Sequence, residues 1–264
     1  MISLRDAALS YGERVLWKDL TLDVEPGEFL VVLGPNGSGK TSLLRALLGE
    51  VALSAGTMTI GGRPPRRGSP LIGYVPQQKA MSPNMPLRSR DLVRLGIDGH
   101  RWGMGRAGRA VRARVGELLA EVGAESYADA PIGTLSGGEQ QRVRIAQALA
   151  TDPRILLCDE PLLSLDPHHQ RAVAELIDRR RREHDTAVVF VTHEINPVLA
   201  MVDRVLYFVD GRFRVGTVRE VMTSRTLSEL YGTPVEVVSI SGRIVMPGAL
   251  ASGHHHPSGE ARGR

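Results

Sequence analysis

Residues 34–41 read GPNGSGKT, that is Gly34, Pro35, Asn36, Gly37, Ser38, Gly39, Lys40 and Thr41, and the reading of the fold starts from what flanks them. Upstream, FLVVL at residues 29–33 is a continuous apolar run of strand length. Downstream, Leu43, Leu44, Leu47 and Leu48 recur at helical spacing. Strand, glycine-rich loop and helix form the setting in which a GxxxxGK[ST] sequence curls its backbone N–H groups around phosphate oxygens. There Lys40 reaches the outer phosphates, the helix N-terminus adds positive potential, and the Thr41 hydroxyl can ligate Mg²⁺. Ser42, next in the chain, is expected to extend the phosphate-binding stretch.

Two more apolar runs repeat the plan. ILLC at residues 155–158 ends in Asp159 and Glu160, and AVVFV at 187–191 ends near His193. Buried parallel strands whose C-terminal ends carry polar residues are where open α/β sheets place ligands. Asp159 is expected to hold Mg²⁺ through its water shell and Glu160 to polarise an attacking water. The plainer alternative for both is an acidic strand end facing solvent. LSGGEQQR at residues 135–142 opens a helix: Ser136 and Glu139 fit a capping box, and Val143, Ala146 and Leu149 continue one apolar face. Capping leaves Gly137 and Gly138 unexplained, since both lower helix propensity; they make sense where a phosphate must approach the backbone.

Elsewhere, Leu20, Leu22 and Val24, then Met58 and Ile60, alternate with polar neighbours as half-exposed antiparallel strands do. Residues 81–150 read mostly as helix, broken at Pro83, Pro86, Gly96 and Gly103. Asp210 and Gly211 mark one hairpin, and Ser241 and Gly242 a weaker one. The Gly-, Ser-, His- and Arg-containing tail at 248–264 has the composition of a disordered segment.

Composition sets outer limits. The 264 residues are 42% hydrophobic, enough for a sizeable core, and no stretch approaches the roughly 20 apolar residues that span a bilayer. A basic n-region followed by an apolar h-region is missing from the N-terminus, so a cytoplasmic location is expected. Cys158, the single cysteine, excludes an internal disulfide and reads as a small buried residue. A net charge of +4 would suit nucleic acid, an anionic membrane or phosphate ligands equally. The arginines at 101–114 and 179–182 are not interleaved with aromatics, so they read as solvated helix faces and no nucleic-acid partner is expected.

GPNGSGKT, LSGGEQQR and ILLCDEP in that order resemble the nucleotide-binding subunits of ABC transporters, over residues 1 to about 220. The resemblance implies an α/β fold: a P-loop NTPase core with a parallel sheet, an N-terminal antiparallel β subdomain and an inserted helical subdomain at about 81–150. A C-terminal helix and β-hairpin extension would fill 221–247. It also implies ATP and Mg²⁺ as ligands, and roles that spacing cannot give. Tyr11 would stack on adenine, its alternative being an ordinary edge-strand tyrosine. Gln77 would sense Mg²⁺ and the attacking water, unless Gln78 does. Asp166 would sit in a loop that crosses to a second copy, and could equally cap the helix that starts at Pro167. His193 would contact the γ-phosphate. In such a head-to-tail dimer each ATP lies between one copy's phosphate loop and the other's LSGGE. Expected partners are an integral-membrane permease and an extracytoplasmic substrate-binding protein, with the subunit peripheral on the inner face of the membrane. GYVPQQ and the C-terminal LSELYGTPVEVVSISGR resemble the zinc and manganese importer branch, and His254, His255 and His256 add a metal-binding composition. The alternatives are an ATPase of an iron-siderophore or other importer, or a soluble ABC ATPase without a permease.

Overall fold

The computed structural model describes residues 1–77, 82, 85–99 and 108–246. Pro83, Gly103, Gln78 and the His254, His255 and His256 triplet lie outside the described residues. Within them the strands are β1 (Ile2–Tyr11), β2 (Arg14–Val24), β3 (Phe29–Leu33), β4 (Ala55–Ile60), β5 (Ile72–Val75), β6 (Ile155–Asp159), β7 (Ala187–Val191), β8 (Arg204–Val209), β9 (Arg212–Gly216), β10 (Val238–Ile240) and β11 (Arg243–Val245). The α-helices are α1 (Lys40–Leu47), α2 (Ser89–Asp98), α3 (Arg109–Glu121), α4 (Gly137–Ala148), α5 (Pro167–His184), α6 (Val218–Val221) and α7 (Ser224–Tyr231).

A six-stranded sheet in the order β5-β6-β7-β3-β8-β9 is parallel throughout except for the β8–β9 hairpin. Its central strand shows why the sequence run is uniformly apolar. Phe29, Val31 and Leu33 face one hydrophobic cluster, built with α3, α4 and α5, while Leu30 and Val32 face another, built with α1 and the β2-β1-β4 sheet. A strand covered on both faces has no polar side to present. The α/β fold with an antiparallel N-terminal sheet is therefore the one expected, and helices α2 to α4 follow β5. Cys158 is fully buried in β6, where desolvation pushes its thiol pKa far up and leaves it unreactive.

Three features depart from the sequence reading. Strand β1, foreseen only in the edge-strand alternative for Tyr11, and strand β5 were not marked by apolar alternation. Strand β1 has shifted register around Asp6, which sits at φ 45°, so its apolar alternation is interrupted. Strand β5 is only four residues long and contains Gly73, where a Cβ would overlap the Ala148 carbonyl. The third departure lies within the 179–182 arginine run, expected as a solvated face, at Arg180 and Arg181. Arg180 is buried between Asp152 and Glu121, and Arg181 donates to the Gly27 carbonyl at 2.9 Å and to Asp203 at 3.0 Å. Helix α5 packs against the core on this side, so these two guanidinium groups tie loops, while Arg179 and Arg182 stay exposed as expected.

Candidate active site

The C-terminal ends of β3, β6 and β7 lie on one edge of the sheet, and each delivers part of the site. Strand β3 runs into Gly34, whose φ is +140°. A Cβ there would overlap the Phe208 carbonyl oxygen of β8 and lie 2.9 Å from Ser38 Oγ, so only glycine lets the loop turn this closely over the sheet. Gly34→Ala is expected to lower unfolding stability by about 3 kcal/mol, from strain plus overpacking, as denaturant titration would show. A stability within experimental error of the parent would contradict this tight turn.

Lys40 is buried, and its Nζ donates to the carbonyls of Gly34 at 2.7 Å and Pro35 at 2.9 Å. Two of its three donors hold the loop curled; the third remains for an anion. Burial lowers the Lys40 pKa, opposed by the charges of Glu160 and Asp159. On the other side of the loop, Arg14 donates to the Gly37 carbonyl at 3.1 Å. This ties the β1–β2 hairpin to the phosphate loop and brings half-exposed Tyr11, which pairs with Arg14, to the same edge.

At the end of β6, Asp159 is buried and accepts a 3.4 Å hydrogen bond from the Thr41 hydroxyl. Desolvation raises its pKa, the Glu160 charge adds to this, and the Thr41 and Tyr74 hydroxyls and Lys40 oppose it. Tyr74 was not singled out from sequence. It pairs with Leu157 across β5 and β6, and the two-residue period places Asp159 on the same face. Burial, then the Asp159 charge, pushes the Tyr74 phenol up to about 12, so it stays a donor. A buried carboxylate beside a hydroxyl, disfavoured in its charged form, is a hard-oxygen donor set that suits Mg²⁺.

Glu160 does not continue the strand. It adopts φ 47°, and its N–H donates to the Val191 carbonyl at 2.9 Å. The separation of the two carboxylates thus comes from a left-handed turn and not from strand alternation. Glu160 Oε2 accepts from Gln77 Nε2 at 3.3 Å and lies 3.8 Å from His193 Nδ1. Gln77, Glu160 and His193, from three separate segments, therefore form one cluster beside Lys40 and Asp159.

Ser136, Glu139 and Asp166 stand apart. Ser136 and Glu139 form the expected capping box at the start of α4, and this hydrogen bonding lowers the Glu139 pKa. Asp166 caps α5, accepting from the N–H groups of His168 at 3.0 Å and His169 at 3.1 Å, and pairs with the His169 ring. Among the described residues no hydrogen bond joins Ser136, Glu139 or Asp166 to residues 34–41. Gly138 has a reason the sequence did not disclose: a Cβ there would overlap the His169 ring, with Cγ at 2.7 Å. The arrangement gathers a phosphate cradle with acid and base groups, and the glycine-rich start of α4 carries its own capping box.

Residues 17–163 match the family model described as ABC transporter. The chain belongs to the ABC transporter family. Within that family it is 34% identical over 262 residues to the zinc import ATP-binding protein ZnuC of Halorhodospira halophila, spanning 99% of this chain and 91% of that one. Among solved structures it resembles a metal-chelate type ABC transporter in an inward-facing conformation, at 26% identity and a TM-score of 0.78, covering 93% of this chain and 95% of the other. It also resembles a dimeric ATP-binding cassette in a post-hydrolysis state with ADP and Pi bound, at 30% identity and a TM-score of 0.70, covering 83% and 99%. The chain is an ABC transporter ATPase, and no helix among its described residues is long and apolar enough to cross a membrane.

Proposed function

We propose that the chain is the ATP-hydrolysing subunit of an importer that carries zinc through a separate membrane permease, acting from the inner face of the membrane. What carries this reading is the likeness to the zinc import ATP-binding protein along nearly the whole of both chains. In this reading residues 1–220 form the nucleotide-binding unit, with 81–150 as its helical part and 221–247 as an extension. Residues 34–42 hold the phosphates, Lys40 neutralises them, and Tyr11 offers its ring to adenine. Thr41 and Asp159, with Gln77 nearby, would hold Mg²⁺, which when bound shields the phosphate charge and favours departure of the leaving oxygen. Glu160 takes the proton of the attacking water on a carboxylate oxygen, while Gln77 fixes the orientation of that carboxylate. His193 contacts the terminal phosphate.

A second copy supplies Ser136, Gly137, Gly138 and Glu139 to the same nucleotide, and Asp166 meets that copy; the dimeric state of a similar cassette supports this arrangement. Binding of ATP closes the pair, hydrolysis reopens it, and residues 77–88 pass the motion to the permease. An extracytoplasmic binding protein would deliver the metal. Cells lacking the subunit should lose high-affinity zinc uptake, restored by the parent gene and not by Glu160→Gln. Manganese is the other cation the sequence pointed to, so both are measured. Normal uptake of both with loss of chelated-iron uptake would instead favour the reading suggested by the metal-chelate type relative. Unchanged uptake of all three would favour a role without a permease.

A further inference from the structure

Helices α4 and α5 start side by side, and His169 touches both starts. Its ring pairs through Nδ1 with Asp166, the residue that caps α5. The same ring occupies the space in which any side chain at position 138 would begin, one residue before Glu139 of the α4 capping box. Its charge, when protonated, is also felt by Glu139. Each helix has its own complete cap, so neither needs His169 to start. What the ring adds is a fixed distance between the two starts.

We propose that His169 is a positioning residue that locks the LSGGE helix start to the SLD loop, so that both are presented to a second copy as one rigid surface. This rests on the reading above in which Ser136, Gly137, Gly138 and Asp166 face that copy. Without the lock, each segment must be ordered separately when two chains meet, and that ordering opposes association. The chain's own phosphate cradle, built from residues 34–41, Thr41 and Asp159, holds no bond to His169 and is unaffected. Gly138 then answers two demands at once: room for the His169 ring within its own chain, and room for a phosphate from the other.

The test uses the full chain carrying Glu160→Gln, which should associate in ATP. Adding His169→Ala should raise the chain concentration needed for ATP-dependent dimerisation about tenfold, read by analytical ultracentrifugation. Affinity for a fluorescent ATP analogue, measured below the dimerising concentration, should not change. His169→Gln keeps an N–H donor for Asp166 and should recover most of the loss. The His169 side chain is 36% exposed, so its removal leaves the core intact. Dimerisation equal to that of Glu160→Gln alone would overturn the proposal, as would a loss that His169→Gln does not relieve. A Glu160→Gln chain that never dimerises in ATP would overturn the dimer reading itself.

Discussion

Replacing Glu160 by Gln lowers the rate of ATP hydrolysis by about 10²–10⁴-fold while ATP still binds, the range expected when a general base is removed. The size of the effect follows from how the residue is held. A left-handed turn secured by the Val191 carbonyl lifts Glu160 off the end of β6. Gln77 and His193 then approach its Oε2 from two other segments. The amide of Gln at position 160 keeps the shape and the contact with Gln77 through its carbonyl oxygen, and loses the basicity. In the proposed reading ATP is bound by residues 34–42 and Tyr11, which the change does not touch. Phosphate release and nucleotide affinity, measured on the same preparation, separate the two; undiminished release would remove Glu160 from the base role.

Asp159→Asn should cut Mg²⁺-dependent hydrolysis by at least about 10²-fold, the scale seen when one electrostatic group is taken from a preorganised site. It should also make the nucleotide-free chain more stable. Asp159 is buried and its pKa is raised, first by desolvation and then by Glu160. The folded chain therefore binds this proton more tightly than the unfolded chain, whose value is near 3.8. Stability is lost as pH rises from that value through the folded pKa. Asparagine carries no charge and keeps an oxygen for Thr41, so the cost disappears. Thermal unfolding without nucleotide should show a higher midpoint for Asp159→Asn at pH 7 and a difference that closes towards pH 4. An equal or lower midpoint at pH 7 would mean that the site stabilises the ionised carboxylate without a cation.

The parts of the site legible in sequence are those fixed by local backbone geometry. A glycine-rich turn between a strand and a helix, or a Ser–x–x–Glu cap, is specified by neighbours within a few residues, so Lys40, Thr41, Ser136 and Glu139 could be read directly. Strand ends at Asp159 and His193 were legible for the same reason. What stayed hidden depends on strand pairing and helix contact. Tyr74 reaches Asp159 only because β5 pairs with β6 in one register, and Arg14 reaches Gly37 because a hairpin folds over the loop. The purpose of Gly138 within its own chain is visible only once α5 lies beside α4. The same holds for Arg180, whose charge suggested solvent until its two carboxylate neighbours came from elsewhere in the chain. Of the fold, the central strands were plain from their unbroken apolar runs. The bulged β1 and the four-residue β5 carried too little periodicity to be seen.

If ATP is hydrolysed between the phosphate loop of one chain and the LSGGE segment of another, turnover requires two chains to meet. Specific ATPase activity of the purified chain, measured at saturating Mg-ATP over a wide range of chain concentration, reads that requirement. Activity per chain should be small when dilute and climb with concentration towards a plateau, with Lys40 and Glu160 both required. Activity per chain independent of concentration, with the chain monomeric throughout, would contradict it.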